Sequence, residues 1–159
     1  MSATIRPFAP GDRAAVVSLV HQLNLFEDAI SADRARDVKA AEACLDADLA
    51  RVARDGGAVM VAVDGPDVVG MMCFVLEQPQ PYLKAEIAQV GWVSELVIDE
   101  RFRGQGIGTA LLAEAERLAR SLGVRRLMIG AIVGNHIARK AYERFGFRPA
   151  VMELSKDLD

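Results

Sequence analysis

Between Glu95 and Thr109 the chain reads Glu-Leu-Val-Ile-Asp-Glu-Arg-Phe-Arg-Gly-Gln-Gly-Ile-Gly-Thr, and no other stretch restricts the fold as strongly. An apolar, β-branched run ending at Ile98 gives way to a polar turn, and glycines at 104, 106 and 108 follow as a helical pattern begins. Glycines at such a junction remove side chains that would block a ligand, so backbone N–H groups at the positive end of a helix can surround phosphate oxygens. Arg103 can add charge-assisted hydrogen bonds to the same anion. Taken alone, the three glycines fit a plain turn equally well.

Two other phosphate motifs compete for this segment. A P-loop needs Gly-Lys followed by Ser or Thr, whereas Ile107, Gly108 and Thr109 stand here without a lysine. A dinucleotide-binding turn belongs to an early βαβ unit, and this one follows two helical stretches and a hairpin.

The rest of the pattern reads as one layered α/β (α+β) domain over residues 1–159. Ala3 to Pro7 is strand-like; Pro10, Gly11 and Asp12 then give a turn and a helix cap before Val16, Leu19, Val20 and Leu23, which share one helical face. A second helical stretch runs from Ser31 to Arg54, with Val38, Ala41, Leu45 and Leu49 in phase. Ala58 to Val63 and Val68 to Leu76 flank Asp64-Gly65-Pro66-Asp67, the chemistry of a hairpin. Val90 to Ile98 is the next strand, Gly108 to Leu122 a helix closed by Gly123, and Arg126 to Val133 a further strand. A helix from Asn135 to Phe145 stops at Gly146, and Val151 to Leu154 can add a last strand, so the predicted order is β-α-α-β-β-β-α-β-α-β.

Charge and cysteine content narrow the function. With 19 basic and 22 acidic residues and no basic cluster, the chain lacks the electrostatic footprint of a nucleic-acid binder. Cys44 and Cys73 are too isolated for a disulfide framework or a zinc site, so free thiols and no metal are expected. The start, Met-Ser-Ala-Thr-Ile-Arg-Pro-Phe-Ala-Pro, does not read as a secretory signal, and no run approaches the roughly 18 apolar residues of a membrane span. The expectation is a cytoplasmic protein with no membrane partner.

Arg103-Gly104-Gln105-Gly106-Ile107-Gly108 resembles the R/Q-x-x-G-x-G/A signature of the GNAT family of N-acetyltransferases, and Leu96-Val97-Ile98 fits the strand before it. Asn135, Ala138, Tyr142 and Gly146-Phe147 are similar to the family's second signature at the expected offsets. The resemblance extends to element order over nearly the whole chain. It implies a mixed central sheet whose splayed central strands, near 96–98 and 126–133, admit the pantetheine arm of acetyl-coenzyme A. It also implies that Leu96, Val97, Ile98, Arg103, Gly104, Gln105, Gly106, Ile107, Gly108, Thr109, Asn135, Ala138 and Tyr142 contact the cofactor, with no metal.

Direct acetyl transfer needs a neutral amine, yet an alkylamine with a pKa of about 10.4 is mostly protonated at neutral pH, so a base or a water relay is required. Glu95, which the resemblance places beside the acetyl group, is the candidate base, with Glu27 and Asp28 in reserve; a surface carboxylate or an arginine partner is the plain alternative. A backbone N–H near Leu96 or Val97 would stabilise the developing oxyanion. Tyr142, the family's usual acid position, would protonate the leaving thiolate; without the motif it would read as an aromatic packed beside Ala138 and Phe145. Asn135 is an excellent helix N-cap as well as the implied pantetheine contact. His21 and His136 have no carboxylate or cysteine placed to form a triad, and neither receives a role.

The acceptor amine is not encoded. Phe26 to Ala32, read as the first interhelical connection, and the segment after Phe147 would line its pocket. Glu27 and Asp28 could attract a cation and Tyr82 or Trp92 could pack on it. The short segment after Gly146 leaves room for a partner chain to complete the site, making a homodimer an expectation. The competing function class is a coenzyme A-binding sensor with little transfer activity. A nucleotide-dependent enzyme using the same turn is the third reading.

Overall fold

The computed structural model describes residues 3–158. Five strands, β1 (Thr4–Pro7), β2 (Gly57–Asp64), β3 (Asp67–Leu76), β4 (Gly91–Ile98) and β5 (Leu127–Ile129), lie in that order across one sheet. The first four pair antiparallel and β5 joins β4 in parallel, so the sheet is mixed. Helices α1 (Arg13–Ser31), α2 (Val38–Asp55), α3 (Ile107–Ser121) and α4 (His136–Phe145) complete the fold, with short 3-10 turns at Pro10–Asp12, Ala85–Ile87 and Glu100–Phe102.

The apolar run Val69–Val75 of β3 is buried throughout because both faces of the sheet are covered. Val16, Val20, Ala41 and Leu45 of α1 and α2 meet Val61, Met71, Cys73 and Val75 on one face. On the other, Ile107, Leu111, Ala115 and Ala119 of α3 recur every four residues and meet Ala62, Met72, Phe74 and Val93. Each large side chain sealed in these layers, such as Phe74 or Leu45, contributes about 1.5–3 kcal/mol.

Four segments differ from the sequence expectation; one is the strand expected from Arg126 to Val133, of which only Leu127–Ile129 forms because its ladder with β4 ends there. Helix α1 runs on through Phe26 to Ser31 and stops where Ala32 turns left-handed at φ 55°, so this stretch is helical and the connection is shorter. Helix α2 begins at Val38, seven residues later than Ser31, because Asp37 caps it by accepting from the Ala40 N–H at 3.0 Å. The strand expected at Val151 to Leu154 does not form: 147–158 contain no helix or strand, and Val151 and Leu154 are 75% and 89% exposed. A strand needs a ladder partner, and β5 at the sheet edge offers only three residues.

The pairing of β4 with β5 covers Gly91–Leu127, Trp92–Met128 and Val93–Ile129 and then ends. From Ser94 to Ile98, β4 has no neighbour on that side among the described residues, so the expected splay lies between β4 and the edge strand β5, not between two central strands.

Candidate active site

The most informative local feature of β4 is a register slip. Cys73 pairs with Glu95 and Phe74 with Val93, so Ser94 is an extra residue and β4 carries a bulge. Strict alternation would send Ser94 and Glu95 to opposite faces; a bulge re-aims side chains locally. Val93 lies in the α3 layer and Val97 in the α1/α2 layer. Ser94 reaches the α1/α2 side, where its Oγ donates to Asp48 Oδ1 at 3.2 Å. Glu95, whose charged neighbours are Asp48, Glu27 and Arg34, faces that side too.

Glu95 is half-buried, and removal from water, then the negative charges of Asp48 and Glu27, push its carboxyl up to about 8 against relief from Arg34. Tyr142 shares the neighbourhood: burial, then the charges of Glu27 and Glu95, raise its hydroxyl to about 12. Thus Glu95 and Tyr142, far apart in sequence, are brought within electrostatic reach of one another, with Glu27 facing both. Burial holds the Cys73 thiol at about 12, so it is an inert core group.

The acidic residues at the end of α1 are engaged by arginines. Glu27 accepts from Arg34 Nε at 2.8 Å, and Asp28 accepts from the Arg34 N–H and from Arg36, both at 3.1 Å. These bonds pin the connection into α2 over the site. His21 hydrogen-bonds the Arg36 carbonyl at 2.9 Å, His136 is exposed, Trp92 packs against the α1/α2 core, and Tyr82 is 79% exposed.

The glycine turn follows β4. Asp99, held down to about 2 chiefly by hydrogen bonds from Arg101, caps the 3-10 turn that leads into it. Gly104 and Gly106 take φ of 76° and 82°, a region costly for other residues, and a Cβ on either would meet nothing within 4 Å. Their backbones therefore border open space. Helix α3 has no side-chain cap, and its first internal bond from this end is Ala110 N–H to the Gly106 carbonyl at 3.0 Å. The N–H groups of Ile107, Gly108 and Thr109 have no partner within the helix. This donor set fits a pyrophosphate. Gly108 differs from the other two: its φ is not positive and its Cβ would stand 3.2 Å from Ile98 Cδ1, a contact of helix on strand. Gln105 and Thr109 are exposed, while the Ile107 side chain is buried in the core. Arg103 lies 5.4 Å over the Phe26 ring and donates from Nε to the Ile98 carbonyl at 3.2 Å, which joins the turn to α1. Among the strand residues, Val97 is buried by its side chain, so only its backbone can meet a ligand in the splay; Leu96 and Ile98 are half-buried.

Helix α4 starts at Asn135, whose Oδ1 accepts from the Ala138 N–H at 3.1 Å, as its sequence position predicted. Ala138 and Tyr142 are half-buried on one face, and the Tyr142 ring meets Phe147 edge-on at 6.1 Å.

A family model described as the acetyltransferase (GNAT) family matches residues 23–147, from the middle of α1 through the glycine turn to the end of α4. The chain belongs to the GNAT acetyltransferase family. YycN, an uncharacterized N-acetyltransferase of Bacillus subtilis, is 34% identical over 92 residues, 58% of this chain and 55% of that one, so the match spans about half of the relative. Among solved structures, a tetramutant of a Bacillus halodurans protein superposes with TM-score 0.78 at 22% identity, covering 98% and 99% of the two chains. The aminoglycoside N-acetyltransferase AAC(6')-Iy, solved in complex with CoA, superposes with TM-score 0.76 at 16% identity over 98% of this chain and 94% of that one. Likeness at such identities establishes the fold.

Within this GNAT chain, Asp48, Ser94 and Arg34 are neighbours of Glu95 that sequence reasoning passed over. Asp48 had a signal: it continues the stripe Ala41, Leu45 on the buried face of α2, where a carboxylate is out of place unless it has work to do. Ser94 had none, since its direction depends on the bulge. No described helix is long and apolar enough to cross a membrane.

Proposed function

We propose that the chain transfers an acetyl group from acetyl-coenzyme A to a primary amine of a small molecule or protein, by direct attack in a ternary complex. The observation that carries this reading is the convergence of Glu95 and Tyr142 beside the unpaired half of β4, at the end of which the glycine turn opens. Acetyl-coenzyme A, when bound, supplies an acetyl thioester; the new C–N bond forms as the C–S bond breaks. The unpartnered N–H groups at the start of α3, with Gly104 and Gly106, hold the pyrophosphate, and the free edge of β4 orients the pantetheine arm.

Glu95 takes the proton released by the amine. A carboxyl at about 8 is a far better match to an ammonium of about 10.4 than an ordinary glutamate at about 4.3. Tyr142, at about 12, keeps its proton at neutral pH and offers a hydrogen bond to the departing sulfur. Full transfer to a thiolate of pKa about 8.5 runs uphill, so its contribution is stabilisation of developing charge more than delivery of a proton. Glu27 and Asp28 each hold an arginine, so the acceptor meets a charge-paired rim in place of bare carboxylates.

Thermal stability of the purified protein with acetyl-coenzyme A, coenzyme A, ATP and NAD tests the reading. A selective shift with acetyl-coenzyme A, about 2.7 kcal/mol at 100 times the dissociation constant, followed by turnover in an amine screen, is the expected result. A shift without turnover across amine classes points to a coenzyme A sensor, and a shift with ATP or NAD alone rejects the acyl-donor site.

A further inference from the structure

Asp48 stands out as a carboxylate sealed in the sheet-facing side of α2. It is 8% exposed; Oδ1 accepts from Ser94, and Oδ2 is buried without any hydrogen-bond partner. An unsatisfied buried carboxylate oxygen is costly, which makes one in a folded protein a feature that calls for an explanation. Its nearest cation in sequence, Arg51, is bonded to Glu77. Its other neighbour is the Cys73 thiol, the register partner of Glu95.

We propose that Asp48 is a positioning residue for Glu95: it tethers the bulge that presents the base and sets a second carboxyl group behind it. This rests on the reading of Glu95 as the base. The bulge makes the geometry specific, because Ser94 and Glu95 face the same helix layer, and the Ser94–Asp48 bond ties the extra residue to α2. Around Glu95 stand Glu27 from α1, Arg34 from the α1–α2 connection, Cys44 and Asp48 from α2, Cys73 from β3 and Tyr142 from α4. Of these, Arg34 is the one permanent cation, and it is shared between Glu27 and Asp33. Asp48 has no cation bonded to it; burial is the largest influence holding a proton on Glu95 and the Asp48 carboxylate the next, while burial raises Asp48 as well.

Two readouts test this on the full chain. The first is the Glu95 carboxyl titration by NMR of selectively labelled protein; the second is the pH profile of kcat/KM with a free acceptor amine. Asp48→Asn, which keeps the shape and removes the charge, lowers the Glu95 midpoint by about one unit or more, a tenfold loss of proton affinity, and carries the acidic limb of the rate profile with it. A Glu95 midpoint unchanged in folded Asp48→Asn overturns the proposal. Ser94→Ala keeps the charge and cuts the tether: its Glu95 midpoint stays high while kcat falls about tenfold or more, and an unaltered kcat overturns the tethering role whether or not Asp48→Asn folds. A midpoint that moves while the rate profile stays put upholds Asp48 and rejects Glu95 as the base, so the two ideas fail separately.

Discussion

Cys73 on β3 stands directly across the ladder from Glu95 on β4, and the next pair, Phe74 with Val93, has already lost register. The one ionisable strand residue of β4 is thus set at the edge of a bulge, over a thiol that burial keeps protonated.

That placement makes Glu95 a liability for stability. Its carboxyl titrates at about 8 when folded and at about 4.3 when unfolded, so between these values the folded state holds a proton that the unfolded state has released. Stability from this group is full below about pH 4 and is lost as pH rises through about 8. Glu95→Gln removes the effect: the variant gains on the wild type between pH 5 and pH 9, by on the order of a few kcal/mol, while losing activity. Calorimetric melting at both pH values checks it, and parallel pH dependence of the two proteins would contradict the buried setting of Glu95.

Gly106→Ala separates folding from anion binding. A left-handed alanine costs about 1–2 kcal/mol, a few degrees in a chain of this size, and its Cβ meets nothing in the protein. The methyl group does project into the space beside the free N–H groups, so coenzyme A affinity by titration calorimetry drops tenfold or more. Retained affinity in the folded variant removes the turn from the binding site.

Tyr142→Phe leaves the edge-on contact with Phe147 in place and deletes only the hydroxyl. Single-turnover rates fall by about 10- to 100-fold with coenzyme A affinity within a few-fold of wild type. Equal single-turnover rates would reduce Tyr142 to packing.

What the sequence disclosed and what it hid divide along one line. The glycine turn, the Asn135 cap and the β2–β3 hairpin were legible because each depends on a few neighbouring residues. The extension of α1 through Phe26 was not, since its end is fixed by hydrogen bonds that Arg34, beyond it, donates to Asp28 and Glu27. Arg103 illustrates the same limit: its motif position implied an anion, while its stacking on Phe26 needed the packed helix to be seen. The strand expected at Val151 had apolar residues but no tertiary partner. Ser94 was overlooked because its direction depends on a bulge that no local pattern announced, whereas Asp48, in phase with Ala41 and Leu45, was legible and went unread.

The unequal stitching of the sheet divides the molecule mechanically. β2, β3 and β4 are laced together over most of their lengths, whereas β5 is attached at three positions and α4 beyond it contributes no buried side chain. The result is a stiff plate carrying Glu95 and the anion turn, with a lightly hinged arm carrying Asn135 and Tyr142. Amide exchange is expected to show the arm opening below the global unfolding free energy, which would let the slot between them widen for a long, thin ligand while the plate that carries Glu95 stays closed.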